Sequence, residues 1–368
     1  MRVIGVDPEL GFAGGESQVL GLTLELIRLG HEAQLLCDPG GGLWQRAQAA
    51  GVRCHALKIR NAMDCFAGIR LRGFLSRNHF DVVHFHTSRA HSMAPFAAGL
   101  AGALIVTRRM DYVPNRLFAP LLYNRAVDAV AAISRGVADA MVAGGVCARR
   151  ITIIPSGVDC VHFAPPAAHQ RDLARRQLGL EPGQIAVGAV GALEPRKGHR
   201  FLLDALALLR ARHREIRAFI AGAGSQRAAL LDQTNRLNLG QTVRFMGSIA
   251  DPRALFWALD IFVQPSLKEG LGVALLEAMA CGLPVIASRA GGMAEMIDHG
   301  GDGILVDAAD SEALATALEE LSASPAIRDS MAACARIKGQ SFSMQSMARG
   351  TLALYQSTLE RKLRPCAA

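Results

Sequence analysis

Short apolar runs alternate with helix-patterned segments through both halves of this chain, and no other feature limits the possible folds as much. The clearest unit spans 259–287. Residues 259–263 are apolar but for Asp260, the pattern of a buried strand. A polar loop follows, carrying Ser266, Lys268, Glu269, Gly270 and Gly272. The spacing then predicts a helix over 272–280. Gly282 stands where a left-handed cap ends such a helix, and Pro284 bars its continuation. Residues 283–287 are the next predicted strand. Strand, loop, helix and strand in this order make one unit of a parallel sheet.

The same unit recurs. Predicted strands lie at 2–6, 33–37, 81–85, 103–107, 129–133 and 151–154, with a helix over 16–29. In the second half they lie at 185–190, 216–221, 242–246 and 303–306, with helices over 199–211, 226–237, 252–259 and 310–322. No strand-rich block interrupts the series. The expectation is an α/β protein of two Rossmann-like domains. At 368 residues the chain is also too long for one ordinary core. Residues 163–183, rich in Pro, Ala and charge, read as a linker with a short helix, which divides the chain into domains 1–163 and 164–343.

The formal charge of +8 points to anionic partners such as nucleotides, phosphorylated glycans or acidic lipid surfaces. Nucleic acid is not expected, because aromatic residues are few and there is no basic tail or nucleic-acid motif. The eight cysteines, at 37, 54, 65, 147, 160, 281, 334 and 366, form no C-x-x-C and no cluster with histidine at zinc-finger spacing. They read as reduced, mostly buried thiols of a cytosolic protein. Residues 1–7 read as a strand rather than a signal peptide, and no apolar run approaches membrane-spanning length. A cytoplasmic protein is expected, soluble or peripheral to the membrane. The stretch 46–77 sets Arg46, Arg53, Lys58, Arg60, Arg70, Arg72 and Arg77 against one acid, Asp64, with Phe66, Ile69, Gly73 and Phe74 on one helical face. A basic amphipathic helix of this kind suits an anionic membrane surface, or is an ordinary solvated face.

Three groups of residues carry candidate chemistry. Glu269 and Glu277 stand eight positions apart. A helical wheel puts Glu277 among Val273, Leu276 and Ala280, where a carboxylate costs several kcal/mol unless paired. The amides of the loop and helix start suit a phosphate, so the stretch can hold a sugar nucleotide. On spacing alone it fits equally a loop glutamate and a partly solvated helix glutamate. Arg196 and Lys197, in the loop G-A-L-E-P-R-K-G over 191–198, follow a strand and precede a helix. There they can neutralise a diphosphate, or form a solvated pair. Gly14 and Gly15 permit close approach of backbone to a ligand, or make a plain turn. They do not form G-x-G-x-x-G, and no acid follows at the spacing that a dinucleotide ribose requires. Finally His84 and His86, and Arg109 and Asp111, sit at two predicted strand ends, where α/β ligand sites lie. They are candidates for an acceptor site.

The string E-G-L-G-x-x-L-L-E-A-M-A-C-G-L-P-V-I-A-S, followed by Gly291 and Gly292, resembles the E-x7-E region of the retaining glycosyltransferases of family 4. Residues 155–159, P-S-G-V-D, are similar to the family's turn leaving its first domain. The resemblance implies the GT-B fold: two Rossmann-like domains facing a central cleft, with a C-terminal helix, about 344–368, crossing back to the first. It implies transfer of a hexose-type sugar from a nucleotide diphosphate sugar to an acceptor hydroxyl with retention. Arg196, Lys197 and Glu269 would be catalytic. Gly14 and Gly15 would lie against the donor phosphates, with the amides of Gly270, Leu271, Gly272 and Val273 also on the donor. Glu269 would hold the donor sugar hydroxyls and Glu277 the ribose. No cofactor is implied, and without a D-x-D near either loop the reaction is expected to be metal-independent. The segments HFHTSRAH and TRRMDY look like those of bacterial enzymes of lipopolysaccharide or other cell-surface glycan synthesis, which implies a glycan or glycolipid acceptor. Two departures stand out: Ala192 replaces a frequent arginine, and the frequent acceptor-side histidine is replaced by the neighbourhood of Arg109 and Asp111. The alternatives are a GT-B sugar-nucleotide epimerase and a non-catalytic sugar-nucleotide-binding protein.

Overall fold

The computed structural model describes residues 1–213 and 215–363; Cys366 and the stretch 364–368 lie outside the described residues. Two compact units are present. One comprises Met1–Gly157 with the chain from Met344 onward, and the other Val158–Ser343.

The first unit is built on strands β1 (Arg2–Asp7), β2 (Glu32–Cys37), β3 (Cys54–Ala56), β4 (Phe80–Phe85), β5 (Ala101–Arg108), β6 (Ala129–Ala132) and β7 (Ile151–Ile153). All pair in parallel, in the order β3-β2-β1-β4-β5-β6-β7. Successive side chains of β1 enter different cores. Ile4 and Val6 join Leu71, Leu75 and Val106 on one face, and Val3 joins Leu22, Leu26 and Met347 on the other. This burial on both faces is why the strands read as continuous apolar runs. The terminal helix Met344–Leu363 packs on the face shared with helix Gly14–Arg28, so the end of the chain belongs to the unit where it begins.

The second unit contains β8 (Ile185–Val190), β9 (Ile216–Ala221), β10 (Val243–Gly247), β11 (Ile261–Gln264), β12 (Val285–Ser288) and β13 (Ile304–Val306), parallel in the order β10-β9-β8-β11-β12-β13. In each sheet the chain moves outward in one direction and then crosses back to build in the other. The reversal lies between β1 and β4 in the first unit and between β8 and β11 in the second. Loops leaving the carboxyl ends of those strands diverge, and such crevices are where open α/β sheets bind ligands.

Several expectations need correction. The stretch 46–77 is not one basic helix: it holds the end of helix Gly42–Ala49, then β3, then helix Cys65–Arg77. The buried stripe of that last helix is Ala67, Gly68, Leu71 and Leu75, whereas Phe66 and Ile69 face solvent. Helix Pro325–Ser341 has no counterpart in the sequence reading. Its start was marked nonetheless, by Ser324, whose hydroxyl accepts from the Ile327 amide, and by Pro325 in the first turn. The seven described cysteines are free, but only Cys37 and Cys281 are buried.

His213 ties two ends of the second unit. Its ring bonds Glu215 at 2.9 Å, just before β9, and Glu319 at 3.0 Å, on helix Ser311–Ala323. Bonds to these two carboxylates raise its pKa above the ordinary 6.5. The stabilisation is therefore complete below about pH 6.5 and is lost as pH rises through the folded-state value. His213→Asn should lower the melting temperature by a few degrees at pH 6, corresponding to roughly 1 kcal/mol, and by much less at pH 9. An equal loss at both values, seen by calorimetry, would show that protonation plays no part.

Candidate active site

The two chemical loops of the second unit leave neighbouring strands at its switch point. β8 runs into the loop bearing Arg196 and Lys197, and β11 into the loop bearing Glu269. They are stitched together by backbone: the Leu267 and Lys268 amides donate to the Arg196 carbonyl at 2.7 and 3.2 Å. Gly198 makes the approach feasible. Its φ is +65°, and a Cβ there would lie 1.9 Å from the Pro265 carbonyl oxygen. Any side chain at this position would push the loops apart.

The stitching brings Lys197 onto Glu269, ammonium against carboxylate, with only 12% and 11% of the side chains exposed. The same carboxylate oxygen, Oε2, accepts from Ser266 Oγ at 3.2 Å and Gln264 Nε2 at 3.4 Å. Ser266 and Gln264 are buried, and Gln264 also donates to Ser266 at 3.1 Å. One oxygen of Glu269 is thus held by three donors. Arg196 does not join this cluster; its Nε bonds Glu194 at 2.8 Å, with the side chain 36% exposed. The expected Arg–Lys pair is split between two carboxylates.

Gly270, Leu271 and Gly272 lead into helix Val273–Ala280, with Gly272 as its N-cap at φ +99°. The first-turn amides of such a helix have no intrahelical acceptor. Glu277 lies in the middle of this helix, half-buried, and no described residue hydrogen-bonds its carboxyl. Burial, with a smaller contribution from Asp251, pushes its pKa up to about 8. A carboxyl so placed is protonated at neutral pH until a hydroxyl or cation favours the ionised form.

In the first unit, Gly14 and Gly15 open helix Gly14–Arg28, and the Glu16 carboxylate accepts from the Ala13 amide at 2.8 Å. The Arg109 side chain runs beside Gly15. Burial lowers Arg109 to about 10, which leaves it charged, with Asp7 and Glu16 as its nearby acids. Asp7, at the end of β1, is 1% exposed; burial raises it to about 7. Its Oδ1 accepts from the Glu9 amide at 3.1 Å. Asp7 Oδ2, His86 Nδ1 and Arg109 Nε are buried with no partner among the described residues. Three such atoms lie at the ends of β1, β4 and β5, buried polar groups that call for a partner such as a ligand or an ordered water.

His84 is not part of this group. Its two ring nitrogens are occupied by Tyr355 Oη and Thr107 Oγ1, each at 2.7 Å, and burial keeps it neutral. It is a core histidine locking the terminal helix to β4 and β5. Asp111 is half-exposed in the loop after β5. The sequence reading missed Asp7 and Glu16 beside Arg109, and Gln264 and Ser266 beside Glu269. The available signal was a polar residue closing each apolar strand, Asp7 at the end of β1 and Gln264 at the end of β11.

Two Rossmann-like units with their polar loops at the switch points define the class: this is the GT-B fold. Solved structures agree over almost the whole chain. The Anabaena Alr3699/HepE protein in complex with UDP and glucose superposes with a TM-score of 0.87 at 22% identity, covering 97% of this chain and 100% of that one. WaaG, a glycosyltransferase involved in lipopolysaccharide biosynthesis, superposes at 0.74 with 16% identity, covering 95% and 98%. The Glycosyltransferase Family 4 model matches residues 12–162, and the model for glycosyl transferases group 1 matches residues 170–338. The chain belongs to glycosyltransferase family 4. A curated relative, the D-inositol 3-phosphate glycosyltransferase of Pseudarthrobacter chlorophenolicus, is 35% identical over 218 residues, 58% of this chain and 51% of the relative. The chain thus matches about half the length of that relative.

Proposed function

We propose that this chain is a retaining glycosyltransferase that moves a sugar from a uridine diphosphate sugar to a hydroxyl of a cell-surface glycan or glycolipid, of the lipopolysaccharide kind. The observation that carries the reading is the convergence of Lys197 and Glu269 at the switch point of the second unit, beside the opening of helix Val273–Ala280. Departure of the diphosphate leaves an oxocarbenium-like sugar and gathers negative charge on the leaving group. Lys197 and the amides of Gly270 to Val273 stabilise that charge, and Glu269, with one oxygen held by three donors, offers the other to a sugar hydroxyl. Glu277 takes the ribose. Arg196, bonded to Glu194, adds a further positive charge to the same loop. Asp7, His86 and Arg109 hold the acceptor. The ligands named with the Anabaena protein support uridine diphosphate as the nucleotide.

A second acceptor, a small phosphorylated polyol, is favoured by Arg109 and by the name of the curated relative. A thermal-shift screen of nucleoside diphosphates and their sugars, followed by transfer assays on lipid-linked glycans and on inositol phosphate, separates the two. Binding of UDP-sugars without turnover on any acceptor would support a binding protein, and conversion of the donor with no acceptor an epimerase. Turnover is expected to survive EDTA, because cationic side chains and helix-end amides take the position of a divalent ion. Complete loss, restored by magnesium or manganese, would sink that expectation.

A further inference from the structure

We infer that Arg89 is a positioning residue: it fixes the loop after β1 so that the Asp7 carboxyl is held by one oxygen and keeps the other for a ligand. That loop, P-E-L-G over 8–11, follows an apolar strand directly. Leu10 is exposed, so the loop brings no core of its own to order it. Contacts from other connections do so instead. Arg89 lies on the short helix Ser88–His91, just past β4. Its guanidinium takes both oxygens of the Glu9 carboxylate, Nε to Oε1 at 3.1 Å and Nη2 to Oε2. Its Nη1 donates to the Ile59 carbonyl at 3.4 Å. One planar fork thus ties the loops after β1 and β3 to the end of β4. On the other side of the loop, a Cβ at Gly41 would lie 2.6 Å from the Glu9 carbonyl oxygen, and the Gly42 amide donates to the Leu10 carbonyl at 3.0 Å. The support beneath Arg89 is itself fixed. His91 is buried, and burial lowers its pKa to about 3, so the ring is neutral. Its Nε2 donates to the Thr107 carbonyl and its Nδ1 accepts from the Tyr123 hydroxyl, each at 3.1 Å. Arg89 therefore reaches Glu9 from a helix locked to β5.

Glu9 passes this order on to Asp7. While its carboxylate is gripped by Arg89, its backbone amide donates to Asp7 Oδ1 at 3.1 Å. Asp7 Oδ2 is left with no partner among the described residues. Arg109 stands close enough for the two charges to act on each other, yet its Nε has no partner either. A carboxyl free to turn would close onto that guanidinium, and the two atoms would satisfy each other. The fork on Glu9 prevents that collapse by holding the amide that holds Asp7. The charged groups around Asp7 are Glu9 in its own loop, Glu16 on helix Gly14–Arg28, Arg109 after β5 and Arg89 after β4. Two further groups are neutral: the Cys37 thiol of β2, raised by its bond to Cys54 and by burial, and the buried His86 of β4.

This deepens the proposed function and rests on it in one respect, that Asp7 and Arg109 hold the acceptor. The test is the titration of Asp7 by NMR of the full chain with isotope-labelled aspartate carboxyls, the signal being assigned by its absence in Asp7→Asn. In the wild type the carboxyl should titrate at about 7. Arg89→Met separates position from charge by sign. Loss of a nearby positive charge alone would raise the Asp7 value. Release of the carboxyl onto Arg109 lowers it, because a bond to a guanidinium outweighs the amide bond it replaces. Arg89→Lys keeps the charge but not the planar fork, so its Asp7 should also titrate below the wild type. The Arg89 and Glu9 side chains are 31% and 30% exposed. Such a pair adds little stability, so melting temperatures should stay within about 3 °C of the wild type. A value raised in Arg89→Met and unchanged in Arg89→Lys is what charge alone produces, and it overturns the positioning role. So does no change in either variant. With UDP-glucose as donor and inositol phosphate or a lipid-linked glycan as acceptor probe, the acceptor KM should rise about tenfold in both variants while kcat changes much less. A lowered Asp7 value with the acceptor KM unchanged would instead sink the assignment of Asp7 to the acceptor and leave the role of Arg89 standing.

Discussion

Replacing Lys197 by alanine is expected to lower kcat by roughly 100- to 1000-fold, the range seen when one preorganised donor to a developing anion is removed. KM for the donor should rise much less, because charge on the diphosphate grows only as the sugar leaves. The geometry makes this substitution more damaging than its neighbour's. Lys197 is largely buried on Glu269, Ala192 carries no charge that could substitute, and Arg196 is committed to Glu194. Loss of the ammonium also leaves the Glu269 carboxylate with only Ser266 and Gln264. Arg196→Ala should therefore add a smaller loss. The comparison needs kcat and KM for both variants and for Glu277→Ala with one working donor and acceptor. If Lys197→Ala changed only KM while Glu277→Ala abolished kcat at saturating donor, the assigned roles would be reversed.

Glu277→Gln should make the protein more stable at alkaline pH while weakening its hold on nucleotide. Burial raises the carboxyl to about 8 in the folded state, against an ordinary 4.5. Between those values the folded chain keeps a proton that the unfolded chain has released, so stability falls as pH rises through that window and stays low above it. Glutamine removes the penalty. Its melting temperature should exceed that of the wild type at pH 9, and the difference should close below about pH 4.5. In the proposed role, the same change replaces a carboxylate acceptor of ribose hydroxyls by a neutral amide. A charged hydrogen bond is worth about 1.5–3 kcal/mol, so the dissociation constant for UDP should rise by about tenfold. Glu277→Ala should cost more, having no acceptor left. A variant that gains no alkaline stability and binds UDP as the wild type does would show that Glu277 is an ordinary solvated helix residue.

Much of this was legible in the residues. β1, β8 and β11 are buried on both faces, so their order of apolar residues needs no partner to be recognised as strand, and the glycine and proline after helix Val273–Ala280 end it by local sterics alone. The E-x7-E string and the loop over 191–198 mark candidate chemistry, since both concentrate charge and glycine between apolar segments. Helix Pro325–Ser341 escaped because only three of its positions, Met331, Ala335 and Gly339, are buried, too narrow a stripe to set an apolar period.

Tertiary structure decided the rest. That Lys197 meets Glu269, 72 positions on, while Arg196 turns to Glu194 depends on the backbone stitching of two loops remote in sequence and on the space that only Gly198 leaves beneath Pro265, neither of which has a local signature. That His84 is a core residue depends on Tyr355, which arrives from the far end of the chain. Phe66 and Ile69 have the spacing of a buried face, yet the helix turns Leu71 and Leu75 inward, because the sheet and Phe96 accept that side. Periodicity is a property of one segment and is written in it. Which of two possible faces is buried, and which charges are brought within hydrogen-bonding distance, is set by segments remote in sequence, and so belongs to the packed fold.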